Sequence, residues 1–253
     1  MNSLDFYTEE EREDIIKRTL DNDVWLINVG SDLESSRLAI KIAEQYKKGV
    51  YACVGLHPTD NIGEIFNIDE YRKLILNPKV VAIGECGIEL HSDKLTDGDS
   101  ITPLIKQGGI FKQQIELSLE TDKPLMIHCR NAHEEVLEIL EEYRNKKLKG
   151  NIHFFSGTPE QAHQYIDLGF TISFTGVITF TKDYDEAVKA VPLDKIMVET
   201  DAPFVTPAPH RGKRNEPLYV QEVAKKIAEI KEISYEEVIE TTTKNAIKFF
   251  NLT

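Results

Sequence analysis

No apolar run in the sequence approaches the roughly 20 residues that a bilayer-spanning helix needs, so no membrane role is expected. A secretory signal is also missing. Glu9, Glu10, Glu11, Arg12 and Glu13 stand in a row where a signal would need an apolar core, and the expected location is cytoplasmic. Cysteine is scarce: Cys53, Cys86 and Cys129 are far apart, form no C-x-x-C pair and each lie inside an apolar run. They read as reduced, buried, small hydrophobes. Positive charge is short as well, with a net charge of -13. A protein that coats duplex DNA carries a broad basic face, because phosphate neutralisation supplies most non-specific affinity. Any nucleic acid here must be held locally, through metal ions and a few basic side chains at one mouth. Finally, no linker rich in Gly, Ser or Pro divides the 253 residues, so residues 1–253 read as one domain.

What is present is an alternation of short apolar runs with longer amphipathic stretches. The candidate strands are Val24–Gly30, Val50–Leu56, Val80–Ile88, Pro124–Cys129, Gly150–Phe155, Phe170–Ile178 and Lys195–Glu199. They are nearly continuous in Val, Ile, Leu and Phe, as expected of parallel strands covered on their outer face. Between them lie helical patterns such as Ser35–Lys47, Ile110–Glu120 and His133–Tyr143. In the last, Val136, Leu137, Leu140 and Tyr143 fall on one stripe. Helix starts are marked by Thr8 with Glu11 three residues on, by Ser31-Asp32, and by Thr158-Pro159-Glu160. This order predicts a parallel α/β fold. Seven strands are legible rather than eight, because residues 1–7 are too short and mixed to supply one before the first helix. A doubly wound sheet tolerates that opening and a closed barrel does not. The barrel is favoured by Glu85, His128, His153 and Asp201, each at the C-terminal end of a different run, where the chemistry of a (β/α)8 barrel gathers.

Those four lie in GECGIE (84–89), IHCR (127–130), NIHFFSG (151–157) and VETDAPF (198–204). Each plants an ionisable group in an apolar strand, where an unpaired one is costly. Two His and two carboxylates suit a divalent ion such as Zn, Mn or a related metal. Strand alternation adds that Cys86 and Cys129 face the helices if Glu85 and His128 face inward, and that Glu199 points the same way as Asp201. Asp201 ranks above Glu199 as a ligand, with Glu199 as a supporting partner. The loop Thr206–Pro217 concentrates basic residues, among them His210 and Arg211. It reads as a phosphate clamp, with Arg130 able to act likewise, or as a solvated basic loop.

These motifs resemble the TatD family of metal-dependent hydrolases. The resemblance runs from INVGSDLESS (27–36) and GLHP (55–58), through the four ligand motifs, to PHRGKRNEP (209–217). It implies a (β/α)8 TIM-like barrel holding one or two divalent ions (Mg, Mn or Zn) and hydrolysing DNA phosphodiesters, often from the 3′ end of single strands. Matched motif to motif, Glu85, His128, His153 and Asp201 would be metal ligands. Asp201 would also serve the attacking water, and Glu85 would be shared by two metals. Arg130, His57, His210 and Arg211 would bind substrate, a satisfied strand-end histidine being the other reading of His57. His91 has no clear counterpart, and His133 and His163 are expected at the surface.

The departures are specific. Glu89 stands where the family usually has Asp, and Thr59 where a second His often follows. The family opens with a strand ending in His-x-His, a motif found nowhere in this sequence. The family's Leu after that motif aligns with Met1, and some Leu codons serve as start codons, so an upstream strand-sized piece is expected, a genuine truncation being the alternative. Without it a single, weaker metal and much reduced activity are expected. Two rival readings are another hydrolase on the same barrel, such as a lactonase or amidohydrolase, and a catalytically impaired metal-binding remnant. Relatives of the first kind bridge their metals with a modified Lys, whereas Glu85 takes that place here. No obligate protein partner is inferred.

Overall fold

The computed structural model describes residues 6–59, 65–90 and 101–253. Seven strands run through it: β1 (Leu26–Val29), β2 (Val50–Val54), β3 (Val80–Glu89), β4 (Leu125–Arg130), β5 (Gly150–Ile152), β6 (Thr171–Phe174) and β7 (Ile196–Val198). They form one sheet in sequence order, every neighbouring pair parallel. The helices are α1 (Glu9–Leu20), α2 (Leu33–Glu44), α3 (Ile68–Ile75), α4 (Ile101–Thr121), α5 (His133–Glu141), α6 (Pro159–Asp167), α7 (Asp185–Ala190), α8 (Val220–Lys231) and α9 (Tyr235–Phe250). Among the described residues β1 and β7 each pair on one side only, matching the seven strands legible in the sequence. No helix among them is long and apolar enough to cross a membrane.

Alternation along the strands sorts two cores. Val50, Ala52 and Val54 of β2, with Leu125, Ile127 and Cys129 of β4, face the helices in the larger cluster. Tyr51 and Cys53, Met126, and Met197 of β7 meet Phe250, Trp25 and Phe249 in a smaller inner cluster beneath the strand ends. All three cysteines are free and buried. Cys86 and Cys129 lie on the helix side, as alternation requires.

The helix starts follow their caps. Thr8 accepts from the Glu11 amide while Glu11 accepts from the Thr8 amide. Asp32 and Ser35 make the same reciprocal pair for α2, and Thr158 and Gln161 for α6, with Pro159 in its first turn. The strands are mostly shorter than the apolar runs. The run Phe170–Ile178 ends as a strand at Phe174, because the Thr175 side chain accepts from the Val177 amide and turns Gly176–Thr179 into a 3₁₀ turn. One expectation is corrected: His133 is buried, not at the surface, since its ring is packed beside Phe155 and Tyr165. Burial pushes its imidazole down to about 4. His163 is exposed as expected. His91 and the residues aligned with the end of the family's first strand lie outside the described residues.

Strand β3 is irregular where it matters. Ile83 pairs with Leu125 but Cys86 with Ile127, so three steps on β3 oppose two on β4. That extra residue is a bulge, a device that re-aims side chains, and Glu85 sits in it. Glycine permits the approach. Gly84 and Gly87 have φ of +149° and +137°, and a Cβ on Gly87 would lie 2.0 Å from the His128 carbonyl oxygen. Gly87→Ala should therefore lower the unfolding free energy by about 2–4 kcal/mol, combining strain with overpacking. Denaturant titration measures this, and a loss under about 0.5 kcal/mol would show that β4 yields easily.

Candidate metal and catalytic site

Four strand ends and one loop bring their ionisable groups together. Glu85, from the β3 bulge, is the hub. Its Oε1 lies 2.8 Å from His128 Nδ1 and 3.7 Å from both His57 Nε2 and His153 Nε2. His153 Nε2 is also 3.7 Å from Asp201 Oδ1. His57 follows β2, its amide donating to the Ser31 carbonyl, and its ring stands edge to face with His128 at 4.5 Å. The structure thus gathers Glu85, His128, His153 and Asp201, and adds His57 to their centre. His57, Glu85 and His128 each offer a ligand atom within 4.8 Å of the others.

The outer nitrogens are held by neighbours. His153 Nδ1 lies 2.6 Å from Glu199 Oε2, and the other oxygen of Glu199 accepts from the Phe154 amide and the Ser173 hydroxyl. Glu199 therefore fixes the ring of His153 and leaves Nε2 facing Glu85 and Asp201. Beneath it, Asn151 donates to Ser173, and Thr171 donates to Asn151, so a polar chain supports the imidazole from inside the sheet. His128 is gripped at both ends, by Glu85 at Nδ1 and by Glu89 at Nε2, 3.2 Å away. The role of Glu89 was missed in the sequence reading. Alternation did offer a signal, since Glu89 is an even number of residues from Glu85 with a bulge near the start of the interval.

Electrostatics follow from this crowding. Burial opposes the charged form of Glu85, but His153, His128 and His57 outweigh it and hold the carboxyl well below its usual range. Burial likewise opposes protonation of His128, yet the bonds to Glu85 and Glu89 raise it to about 9. His153 is raised well above its ordinary value against the same burial, by Glu199 and Glu85. Asp201 goes the other way: burial, only partly offset by His153 and reinforced by the Glu85 and Glu199 carboxylates, pushes it up to about 7.

The predicted substrate residues are spread around the rim. Arg130 is exposed, with Nη1 3.9 Å from Glu89 Oε2. Arg211 lies with its guanidinium 3.9 Å above the Phe180 ring and donates to the Thr206 carbonyl. His210 stacks on Tyr219 at 4.0 Å. Arg214, in the same loop, is occupied structurally, packed over Tyr7 and paired with Glu11. The basic loop therefore divides its cations between different aromatic partners, Arg211 over Phe180 and Arg214 over Tyr7, which charge counting alone does not reveal.

A donor set of imidazole nitrogens and carboxylate oxygens, several converging on one oxygen of Glu85, fits a divalent ion. A half-barrel of parallel strands with this cluster at the strand C-termini defines a metal-dependent hydrolase of the barrel type. Comparison with known proteins makes the class specific. The family model described as TatD related DNase matches residues 2–251, and the chain belongs to that family. It is 38% identical over 248 residues to the uncharacterized metal-dependent hydrolase YabD of Bacillus subtilis, covering 96% of this chain and 94% of that one. It is 30% identical to the putative deoxyribonuclease TATDN1 homolog of Encephalitozoon cuniculi, covering 96% and 89%. Its fold matches the crystal structure of YjjV, a TatD homologue from Escherichia coli, with a TM-score of 0.87 at 24% identity over 96% of this chain and 93% of that one.

Two outcomes are expected at this site. His128 is raised to about 9, so at pH 7 the ion-free protein holds a proton that a ligating imidazole must release. Metal binding at pH 7 should therefore expel at least about one proton per ion, with affinity rising as pH climbs toward 9. Calorimetry in two buffers of different ionisation enthalpy reads the proton count, and a count of zero removes His128 from the ligand set. Separately, Glu199→Gln should weaken metal binding about 10–100-fold by loosening His153, as measured by competition with a chromogenic chelator.

Proposed function

We propose that this protein is a metal-dependent deoxyribonuclease that hydrolyses DNA phosphodiesters, working from the 3′ ends of single strands. The observation that carries the reading is the convergence of His128, His153 and Asp201 about Glu85, in a chain of the TatD-related DNase family. Glu85, His128, His153 and Asp201 would hold one or two divalent ions, with His57 3.7 Å from Glu85. An ion held there supplies Lewis-acid polarisation of the phosphoryl group and a lowered pKa for an attacking water.

The side chains do the rest. Asp201, whose burial and neighbouring carboxylates raise its proton affinity, accepts the proton of the attacking water, a task suited to a carboxyl tuned toward neutral pH. Glu199 keeps His153 aimed inward. Arg130 and Arg211 hold non-bridging oxygens, and His57 and His210 line the approach of the substrate. The putative deoxyribonuclease among the relatives supports DNA as the substrate, and the local placement of basic groups on an acidic chain supports a strand end over a long duplex.

The test is degradation of single-stranded DNA labelled at either end, with Mg, Mn or Zn added and with a chelator. Expected is metal-dependent loss of nucleotides from the 3′ end, abolished by chelation. Asp201→Asn should lower kcat by about 10²–10⁴-fold. A metal-loaded protein that leaves every DNA substrate intact would overturn the nuclease reading and point to another ester or amide substrate.

A further inference from the structure

Large aromatics are normally buried, yet Phe6, Phe180 and Phe204 are 42%, 44% and 53% exposed. Phe180 and Phe204 lie in the segments that follow β6 and β7, and Phe6 lies just before α1. Phe204 lies three residues beyond Asp201, and its amide donates to the Asp201 carbonyl at 2.8 Å. Its ring meets Phe6 edge to face at 5.2 Å. Phe180 ends the turn after β6 and lies under the Arg211 guanidinium.

The two loops that carry Phe180 and Phe204 are stitched together. The Ala208 amide donates to the Thr179 hydroxyl at 2.8 Å, and a Cβ on Gly176 would meet the Val205 carbonyl oxygen at 2.4 Å. Asn215, fully buried, donates to the carbonyls of Thr200 and Phe204. Val205, next to Phe204, is β-branched and held at φ +54°, a conformation such residues rarely adopt and one that marks functional segments. The backbone that carries both rings is therefore tied down, and the rings of Phe180 and Phe204 themselves rest against Arg211 and Phe6 respectively.

We infer that Phe204 and the Phe180–Arg211 pair form a stacking platform for unpaired nucleobases on either side of the phosphodiester being cut, so that substrate is selected by flat bases in a single strand. The inference rests on the nuclease reading of the adjacent site. Its physical basis is separate. Base–aromatic stacking is indifferent to sequence and to the sign of the protein's charge, and guanidinium planes stack as rings do. For a chain with net charge -13, where long-range attraction to phosphate is unfavourable, stacking is the short-range term that can hold a nucleic acid end. In a duplex the base faces are already stacked on one another and unavailable, so the platform favours single strands.

The test compares Phe204→Ala and Phe180→Ala with the native protein, and with Phe204→Trp as the conservative control. The substrates are a single-stranded oligonucleotide and the same oligonucleotide with abasic sites at its 3′-terminal positions. Anisotropy of the labelled strands, with the metal present, reads binding independently of turnover. Expected is a rise in KM and in Kd of about 5–100-fold for the based strand in either Ala variant, a markedly smaller rise on the abasic strand, and recovery with Trp. Native protein should bind the abasic strand as weakly as the Ala variants bind the based one. Equal affinity of native protein for based and abasic strands, or Ala variants that lose equally on both, overturns the platform even if hydrolysis is intact. Should native protein bind strands in the expected pattern without cleaving them, the nuclease reading fails and the platform stands. Absence of binding by native protein removes both.

Discussion

The structure turns on one constraint: a carboxylate and three imidazoles are buried against each other where the strands end, and none is tolerable there alone. Glu85 is kept ionised because His153, His128 and His57 face it. His128 keeps its proton because Glu85 and Glu89 receive its two nitrogens. Removing any one member leaves an uncompensated charge in a site of low polarity, which costs several kcal/mol. The same mutual dependence makes the cluster receptive to a divalent ion, which replaces protons as the positive charge that the carboxylates require.

That constraint reaches down into the sheet. Interior positions of a small barrel are normally filled by apolar side chains, and on the β2, β4 and β7 side they are, with Tyr51, Cys53, Met126 and Met197. On the β5–β6 side the interior is polar: Thr171, Asn151 and Ser173 link in sequence to Glu199 and so to His153. A satisfied network of this kind rigidifies what it touches. It fixes the orientation of one imidazole through contacts that begin within β5 and β6. Backbone strain gathers beyond the strands, with Asn131, Phe154 and Asp201 at positive φ within three residues of a strand end and Val205 further along the loop after β7. Surrounding packing has to hold such residues in place, and the close contact of Gly176 with the 205–207 segment is part of that packing.

Much of this was legible in the sequence because strand periodicity and end position are simple. A polar residue at the end of an apolar run must emerge at the same mouth as its counterparts once the runs are parallel, and Glu85, His128, His153 and Asp201 do converge. Alternation also placed Glu199 on the inner face, where it holds His153 rather than standing beside Asp201 as an equal. What was not legible depends on tertiary contacts. The interior placement of His133 follows from the opposing Tyr165, 32 residues on, whose hydroxyl lies 3.0 Å from its ring. Alternation could put Glu89 on the inner face, but its grip on His128 depends on the pairing of Gly87 with His128 and Glu89 with Arg130 across β3 and β4, a register that no single run displays. The division of the basic loop into Arg211 over Phe180 and Arg214 over Tyr7 follows from aromatic partners that only the fold brings near.

The acidity of the chain, read from composition as an argument against broad DNA contact, takes on a more specific meaning once the mouth is in view. Screening limits the reach of charge at physiological salt to roughly 8 Å, so the repulsion of phosphates by the distant acidic surface is weak where the substrate meets the protein. On the deoxyribonuclease reading its effect falls on encounter: a long polyanion gains nothing by lying along the surface, while a strand end that reaches the cluster would meet Arg130 and Arg211. On that reading an acidic chain with Arg130, Arg211 and exposed rings in the loops past the strands would discriminate by geometry. Ends and unpaired bases would enter, and continuous duplex would find no face to lie on. Selectivity of this kind needs no sequence-reading contacts, in keeping with a rim whose specific features are rings and guanidinium planes rather than hydrogen-bond donors aimed at base edges.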